Sequence, residues 1–480
     1  MDKFIIFTEE LLSKQHLATV REIGRRIGVK APAASKKDQL IEEILAIQSG
    51  KKEAVPPSKR GAPPKIKVDI SAFLVKDDYV IPNDYPLPEN TPYKNQSEFA
   101  TGELHDSIKS TKLTAEGVLE LCGNYGFLRV NNYENSSDDI YVSIQNIRKY
   151  NLKKGDKIKA TAVYLRENES PAMQTAITIN GLSPEKIEDR KDFDKITPCY
   201  PCERLVMETQ DNDAGMRCID LFCPIGKGQR GLIVAPPKTG KTTLLKKIAL
   251  SIEKNNPEVK LIILLVDERP EEVTDIKRAV KAEVVSSTFD EGSAHHVKIA
   301  DLVINRARRL AELGTDVVIL MDSITRLTRA YNSQEESSGK ILSGGLDPLA
   351  LQAPKKFFGS ARNLEEGGSL TIISTALIQT GSRMDDVIFE EFKGTGNMEI
   401  HLSDKLSEKR IFPAIDLLKS GTRKDDLLLT EEELSAVYKL RNFVANRQDA
   451  TEVIIDMIKR TKNNADLISK IDGWIKAYNN

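Results

Sequence analysis

The chain has 480 residues and a formal net charge of −1, so it can hold two or three domains with a large core, and a globally basic nucleic-acid binder is excluded. Five cysteines, an odd number over a long chain, point to a reducing cytoplasm rather than a disulfide framework. No apolar run approaches membrane-spanning length, so no membrane partner is expected.

The opening "MDKFIIFTEELL" has a four-residue apolar patch followed by acids and predicts no signal peptide. Residues 1–49 read as a small helical module. In "SKKDQLIEEILAIQ", Ser35 is placed as N-cap with Asp38 three residues on, a capping box before an apolar stripe. Arg21, Arg25, Arg26 and Lys30 precede it, a solvated face or an auxiliary nucleic-acid surface. Residues 50–112 hold eight of the 21 prolines, from Pro56 to Pro92. Such a stretch has too little apolar surface to fold and reads as an extended, disordered linker.

Order returns over residues 113–183, in "GVLELCGNYGFLRV" and "DDIYVSIQNIRKYNLKKGDKIKATAV". Short alternating segments broken by Gly, Asn and Asp predict a small β-barrel of the OB or cold-shock kind. Alternation sends Tyr125, Phe127 and Arg129 to one face with Asp139 and Tyr141. Gly126, Leu128 and Val130 go to the other face, with Ile140 and Val142. The first face carries charge, so the aliphatic face is taken as core. That leaves exposed rings beside Arg129, Arg148 and Lys149, a platform for unstacked bases of single-stranded nucleic acid. The candidate surface is Asn124, Tyr125, Gly126, Phe127, Leu128 and Arg129, together with Asp139, Ile140, Tyr141, Arg148 and Lys149.

Residues 184–480 change pattern. Cys199, Cys202, Cys218 and Cys223 form C-x2-C and C-x4-C pairs, a spacing that raises zinc as an alternative. Ile219, Leu221 and Phe222 around the second pair favour half-buried thiols in packed structure. Apolar strands then alternate with helices: "GLIVAP", "LIILLVD", "DVVILMD" and "LTIISTAL". Continuous apolar runs of this kind predict a parallel α/β sheet covered on both faces. "TEEELSAVYKLRNFV" and "DLISKIDGWIKAYNN" close the chain as helices.

"APPKTGKT" follows a strand and opens a helix, the setting a phosphate loop requires. Pro236 and Pro237 have no N–H, so the cradle's donors come from Lys238, Thr239, Gly240, Lys241, Thr242 and Thr243. Lys241 is assigned to the β- and γ-phosphates and the Thr242 hydroxyl to Mg²⁺. Asp322 ends a buried strand and is assigned a magnesium-bound water. Glu268, at the end of "LIILLVDE", is assigned to polarise the attacking water. Glu271 and Glu272 are read as partners of a helix dipole. The domain is expected to hydrolyse nucleotide.

A nucleic-acid-binding barrel joined to such a RecA-like domain is a motor architecture, and longer motifs sharpen it. "GLIVAPPKTGKT", "DERPEEVTD", "VVILMDSITRLTRAYN", "FFGSARNLEEGGSLTII", "EEFKGTGNMEIHL", and "EKRIFPAID" followed by "SGTRKDD" closely resemble the Rho family of bacterial transcription termination factors. The resemblance is dense over residues 114–429. It implies a homohexameric ring that binds RNA, hydrolyses ATP with Mg²⁺ and moves 5′ to 3′ towards the RNA polymerase elongation complex. It places nucleotide contacts on Gly226, Lys227, Gly228, Gln229, Arg230 and Gly231, on Lys238 to Thr243, and on Arg269. Phe412 matches the ring that stacks on the adenine. Arg423 matches an arginine finger reaching into a neighbour's site, with Arg410 beside it. Lys340, Ile341, Leu342, Ser343, Gly344 and Gly345 match one pore-lining loop. Arg383 lies on a second such loop, where the family has a lysine.

Two features depart from the family: the proline-rich linker, and "NESPAM", which offers Ser170 and Pro171 where a further aromatic of the RNA site is expected. A rotary or export ATPase subunit would share the sheet and finger but lack the aromatic barrel and the pore-loop lysine. A non-enzymatic RNA-binding regulator is opposed by the intact Lys241, Glu268, Asp322 and Arg423.

Overall fold

The computed structural model describes Leu12, Val20 and Val29, then residues 36–48, 112–164, 170–335, 339, 342–445, 447 and 449–479. The chain divides into two compact units, residues 1–105 and 106–480. In the first, helix α1 (Lys37–Gln48) buries Leu40, Ile41 and Ile44 in a cluster with Leu12, Val20 and Val29. Their spacing puts one apolar stripe on one helix face. Ser35, the basic residues from Arg21 to Lys30, and the proline-rich stretch up to residue 111 lie outside the described residues.

The second unit opens with a closed barrel of β1 (Lys112–Leu121), β2 (Gly126–Arg129), β3 (Ile140–Val142), β4 (Lys157–Val163) and β5 (Ala172–Ile179), in spatial order β1-β2-β3-β5-β4. Pairing of β1 with β4 closes it and leaves no free edge. Leu119, Leu128, Ile140, Val142 and Ile158 point inward and form its core. Within the run read from sequence as strands, residues 144–149 instead form helix α2 (Ile144–Lys149). Ser143 caps it, accepting from the Asn146 N–H at 3.3 Å.

The remainder is built on a nine-stranded sheet. Its parallel strands run, in spatial order, β8 (Glu283–Thr288), β7 (Lys260–Glu268), β9 (Val317–Asp322), β10 (Ser369–Leu377), β6 (Arg230–Ala235) and β11 (Met398–His401); β12 (Gly421–Thr422) adds antiparallel to β11. The helices that matter here are α3 (Ala214–Phe222), α4 (Lys241–Asn255), α5 (Pro270–Ala279), α6 (Ser293–Ala311), α7 (Ile324–Gln334) and α8 (Arg383–Lys393). Ile233, Ile263 and Leu265 pack with Leu245 and Ile248 of α4. Leu232, Ile262 and Leu264 face the other way, onto Ile299 and Val303 of α6. Both faces are therefore covered, which is why these strands read as unbroken apolar runs.

Three helices end the chain: α9 (Glu431–Val444), α10 (Ala450–Lys459) and α11 (Asn464–Asn479). Thr430 and Glu433 make a reciprocal capping box at the start of α9. The fully buried Arg217 of α3 ties the last two to the sheet. It donates to the carbonyls of Ile458 (2.6 Å) and Thr461 (2.8 Å), and to Oδ1 of Asn464 (3.0 Å). No helix among the described residues is long and apolar enough to cross a membrane.

Candidate nucleotide and nucleic-acid sites

Strand β6 ends at Ala235, and the chain turns through Lys238 (φ +65°) and Gly240 (φ +87°) into α4. Glycine takes that backbone conformation without strain, so the first N–H groups of α4 open into the loop. Thr239 Oγ1 donates to the Pro236 carbonyl at 2.7 Å and staples the turn. Lys241, the first residue of α4, places Nζ 2.8 Å from Glu268 Oε1 and 2.6 Å from both oxygens of Asp322. The ends of two strands, β7 and β9, thus converge on one ammonium. Burial lowers its pKa, but the Asp322 and Glu268 carboxylates outweigh that and hold it above the usual lysine value.

The aim of Glu268 has a local cause. Strand β7 shifts register between Val266 and Glu268, and Asp267 sits at φ +56°, a bulge that re-aims the following side chain. Glu268 is therefore buried, whereas Asp267 is half-exposed and faces Arg326 at 3.8 Å. Arg326 also lies 3.6 Å from Glu268. Asp322 is fully buried and accepts from Thr375 Oγ1 at 2.7 Å.

Neither Thr375 nor Arg326 was singled out from sequence. A hydroxyl near the end of the apolar run "LTIISTAL" was the available signal for Thr375. Glu272 was read as a dipole partner only, yet its Oε2 accepts from Thr242 Oγ1 at 3.0 Å. Thr242, Glu272 and Asp322 supply hard oxygen donors beside the phosphate loop, a set that fits Mg²⁺.

Beside the loop, a cavity of about 610 Å³ is lined by Lys238, Gly240, Thr243, Phe412 and Ala414. Phe412, 45% exposed, stands against Gly240, and Ser407 Oγ donates to the Lys238 carbonyl at 3.0 Å. A second cavity of about 660 Å³ is lined by Asp267 at the end of β7 and by Arg269, Arg326, Arg329 and Ser382. Arg269 lies in this second cavity, not in the first.

The geometry bears differently on two expectations drawn from the resemblance. Residues 226–231 do not meet the phosphate loop of their own chain. They precede and begin β6, whose six residues carry the chain on the order of 20 Å to the loop at its far end. There they pack: Gly228 (φ +94°) lies against the Asn363 backbone, Lys227 pairs with Glu203 and Asp316, and the Gln229 side chain donates to Asn397 Oδ1 at 2.7 Å. Nor is Arg410 beside Arg423. Arg410 follows Ser407 on the loop side, whereas Arg423 follows β12 at the opposite end of β11, its N–H donating to the Asn397 carbonyl. Arg423 is exposed, and it stands near Arg230. Burial first, then Arg362 and Arg423, holds the Arg230 pKa below its usual value.

On the barrel, Tyr125, Phe127 and Tyr141 form one cluster with ring centroids 5.9 to 6.0 Å apart, and Phe127 pairs with Tyr141 across β2 and β3. All three are half-buried. Arg129 and Asp139 were taken as exposed charges, but they are 9% and 2% exposed. Burial is tolerated because they neutralise each other at 2.5 Å, Glu120 meets Arg129 Nε at 2.5 Å, and the guanidinium lies 5.1 Å over Phe127. Leu128 and Ile140 are fully buried and Gly126 is buried, so their side chains offer nothing to a ligand. Val130 is half-exposed rather than core. Asn124, Arg148 and Lys149 are exposed.

Of the pore-loop residues, Lys340 and Ile341 lie outside the described residues. Leu342 to Gly345 form a tight turn, with the Leu342 N–H donating to the Leu346 carbonyl. Gly344 is pressed so closely on Met384 that a Cβ would lie 2.6 Å from its backbone nitrogen. The turn and the exposed Arg383 at the start of α8 are thus neighbours. The cysteines do not converge: Cys199 and Cys202 are exposed, while Cys218 and Cys223 are buried in the core rather than half-buried.

Comparison with known proteins agrees with this division. The "Rho termination factor, RNA-binding domain" family matches residues 115–185, and the "ATP synthase alpha/beta family, nucleotide-binding domain" matches residues 215–422. The chain is 54% identical over 394 residues to the transcription termination factor Rho of Cereibacter sphaeroides, covering 80% of this chain and 93% of that protein. It is 54% identical over 370 residues to that of Bacillus subtilis, covering 76% and 87%. Over 477 residues it is 45% identical to that of Aquifex aeolicus, covering 97% and 96%.

Proposed function

The chain belongs to the transcription termination factor Rho family, and from that premise we propose that it uses ATP hydrolysis at the Lys241 centre to draw single-stranded RNA through a homohexameric ring. It is an RNA-binding, ATP-dependent termination factor and an RNA-dependent ATPase. The observation that carries the mechanism is Lys241 Nζ within 2.8 Å of Glu268 and 2.6 Å of Asp322.

In that geometry Lys241 and the N–H groups opening α4 bind the β- and γ-phosphates, and the ring of Phe412 packs on the base. Glu268, buried and held in place by Lys241 and Arg326, orients the attacking water and accepts its proton. Thr242, Asp322 and Glu272 would hold Mg²⁺, which neutralises developing phosphate charge when bound. Arg423 cannot reach its own loop, so it serves the site of a neighbouring subunit. Residues 226–231, at that same end of the sheet, can meet a nucleotide only in that way too. Tyr125, Phe127 and Tyr141 take bases of the incoming RNA, and the turn at 342–345 with Arg383 grips it in the pore. Release of the transcript from RNA polymerase is the outcome.

The test is ATP hydrolysis by the full chain with single-stranded RNA, with duplex DNA and with neither. Stimulation by RNA alone is expected, and equal turnover in all three would overturn the reading.

A further inference from the structure

The buried cation beneath the aromatic face is not isolated. Glu120 Oε2 meets Arg129 Nε at 2.5 Å and also Lys298 Nζ at 3.0 Å, and Lys298 belongs to α6 of the ATPase domain. Lys298 Nζ reaches back to Asn135 Oδ1 of the barrel at 2.6 Å. One carboxylate oxygen, 12% exposed as a side chain, is therefore shared between a cation of the barrel face and a cation of the motor.

Lys298 shares helix α6 with a second group of contacts, and that group leads to the strand end at Glu268. In the first turn of α6, His295, three residues before Lys298, and the adjacent His296 both place Nδ1 on Ser287 Oγ of β8, at 2.7 and 2.6 Å. A single hydroxyl proton cannot serve both rings, so at least one of the two imidazoles donates its Nδ1–H to Ser287 Oγ. Strand β8 ends at Thr288, which pairs with Glu268, and the next N–H, of Phe289, donates to the Glu268 carbonyl at 3.2 Å. The barrel touches this same strand directly: Asn132 Nδ2 donates to the Val284 carbonyl at 3.2 Å, and the Tyr133 hydroxyl binds Glu283.

We propose that Glu120 and Lys298 are positioning residues that couple occupancy of the barrel's aromatic face by single-stranded RNA to the catalytic turn at Glu268. The inference rests on the reading of that face as an RNA site. A base that stacks on Phe127 shifts the ring against which the buried Arg129 guanidinium lies, 5.1 Å away; this weakens the guanidinium's hold on Glu120, and Glu120 then binds Lys298 the more tightly. The first turn of α6, and Ser287 with it, shifts in response. Energetic coupling between two sites is reciprocal, so nucleotide at the motor must change RNA affinity at the barrel by the same factor.

The experiment uses the full chain and a fluorescent single-stranded RNA tetranucleotide, with Kd measured with and without a non-hydrolysable ATP analogue. The Tyr125→Ala/Phe127→Ala variant identifies the part of the binding that belongs to the barrel. The wild-type Kd ratio is expected to be about fivefold or more, within the usual range of allosteric coupling. Lys298→Met is expected to bring it near one while RNA affinity without nucleotide stays within about twofold, and Lys298→Arg to restore it. A purely structural ion pair would shift melting temperature and leave the ratio alone. If Lys298→Met does not fold, Glu120→Gln, which still accepts from Arg129 but carries no charge, is measured instead. An unchanged ratio in the neutral variant, or a ratio of one in wild type that binds RNA, overturns the relay alone. Wild type that binds no RNA overturns the RNA reading and the relay with it.

Discussion

Glu272 stands in the first turn of α5, where an acid complements the helix dipole, yet its carboxylate bonds the Thr242 hydroxyl at 3.0 Å. The two roles make different predictions. If Glu272 also orients the metal shell, Glu272→Gln should raise the Mg²⁺ concentration needed for half-maximal nucleotide binding about tenfold. A fluorescent ATP analogue titrated with Mg²⁺ measures this, and an unshifted midpoint would leave only the dipole role. The rings of the barrel pose a similar choice, because Tyr125 and Phe127 are half-buried and lean on each other. Each stacked base is worth about 1–3 kcal/mol. Tyr125→Ala/Phe127→Ala in the full chain should therefore weaken single-stranded RNA binding at least about tenfold while the melting profile is kept. A lost barrel transition would instead make the rings part of its core. Sequence alternation separated the two barrel faces correctly at Leu128 and Ile140. It could not show that Arg129 and Asp139 would be buried, since the third partner, Glu120, lies on another strand.

At the level of elements, legibility followed how local the determining physics is. Strands β6, β7, β9 and β10 were readable because each is a continuous apolar run, and the start of α4 because Gly-Lys-Thr marks it. Edge strand β8, "EVVSST", has only two adjacent apolar residues and gives no such run, and the apolar face of α10 is explained only by what it packs on. That packing depends on Arg217, whose partners Ile458, Thr461 and Asn464 lie 241 to 247 positions further on. No window of sequence contains both ends of such a contact. Arg217 is fully buried and makes its bonds with carbonyls, amides and a hydroxyl; Glu208 at 3.2 Å gives it an acid partner. Removing it leaves those acceptors buried and unpaired, a change that costs about 3 kcal/mol or more. Arg217→Ala should lower the denaturant midpoint accordingly. It should also loosen nucleotide binding, because Asn212, which accepts from Arg217 at 2.7 Å, lines the 610 Å³ cavity with Asp213 and Lys459. A destabilised variant with unchanged nucleotide affinity would confine Arg217 to the C-terminal helices.

For the whole molecule the decisive fact is the polarity of the sheet. The phosphate loop lies at the carboxyl ends of the parallel strands, and Arg423 lies past β12, beside the opposite end of β11. In the function proposed above a single copy therefore holds two half-sites facing apart, and closing the ring would bring each arginine to the next subunit's γ-phosphate. A finger supplied in trans is worth about 10³ to 10⁵ in rate, nearly all of it in the transition state. Arg423→Ala should accordingly bind ATP almost as wild type does and hydrolyse it at a thousandth of the rate or less. Mixed rings carry the argument further. If the sites fire in concert, one mutant subunit silences more than the single site it serves. Activity should then fall faster than the mutant fraction rises, once subunit exchange has been confirmed by a labelled copy. A strictly proportional decline would mean that each interface works alone, and an unchanged rate for the pure variant would take Arg423 out of the reaction.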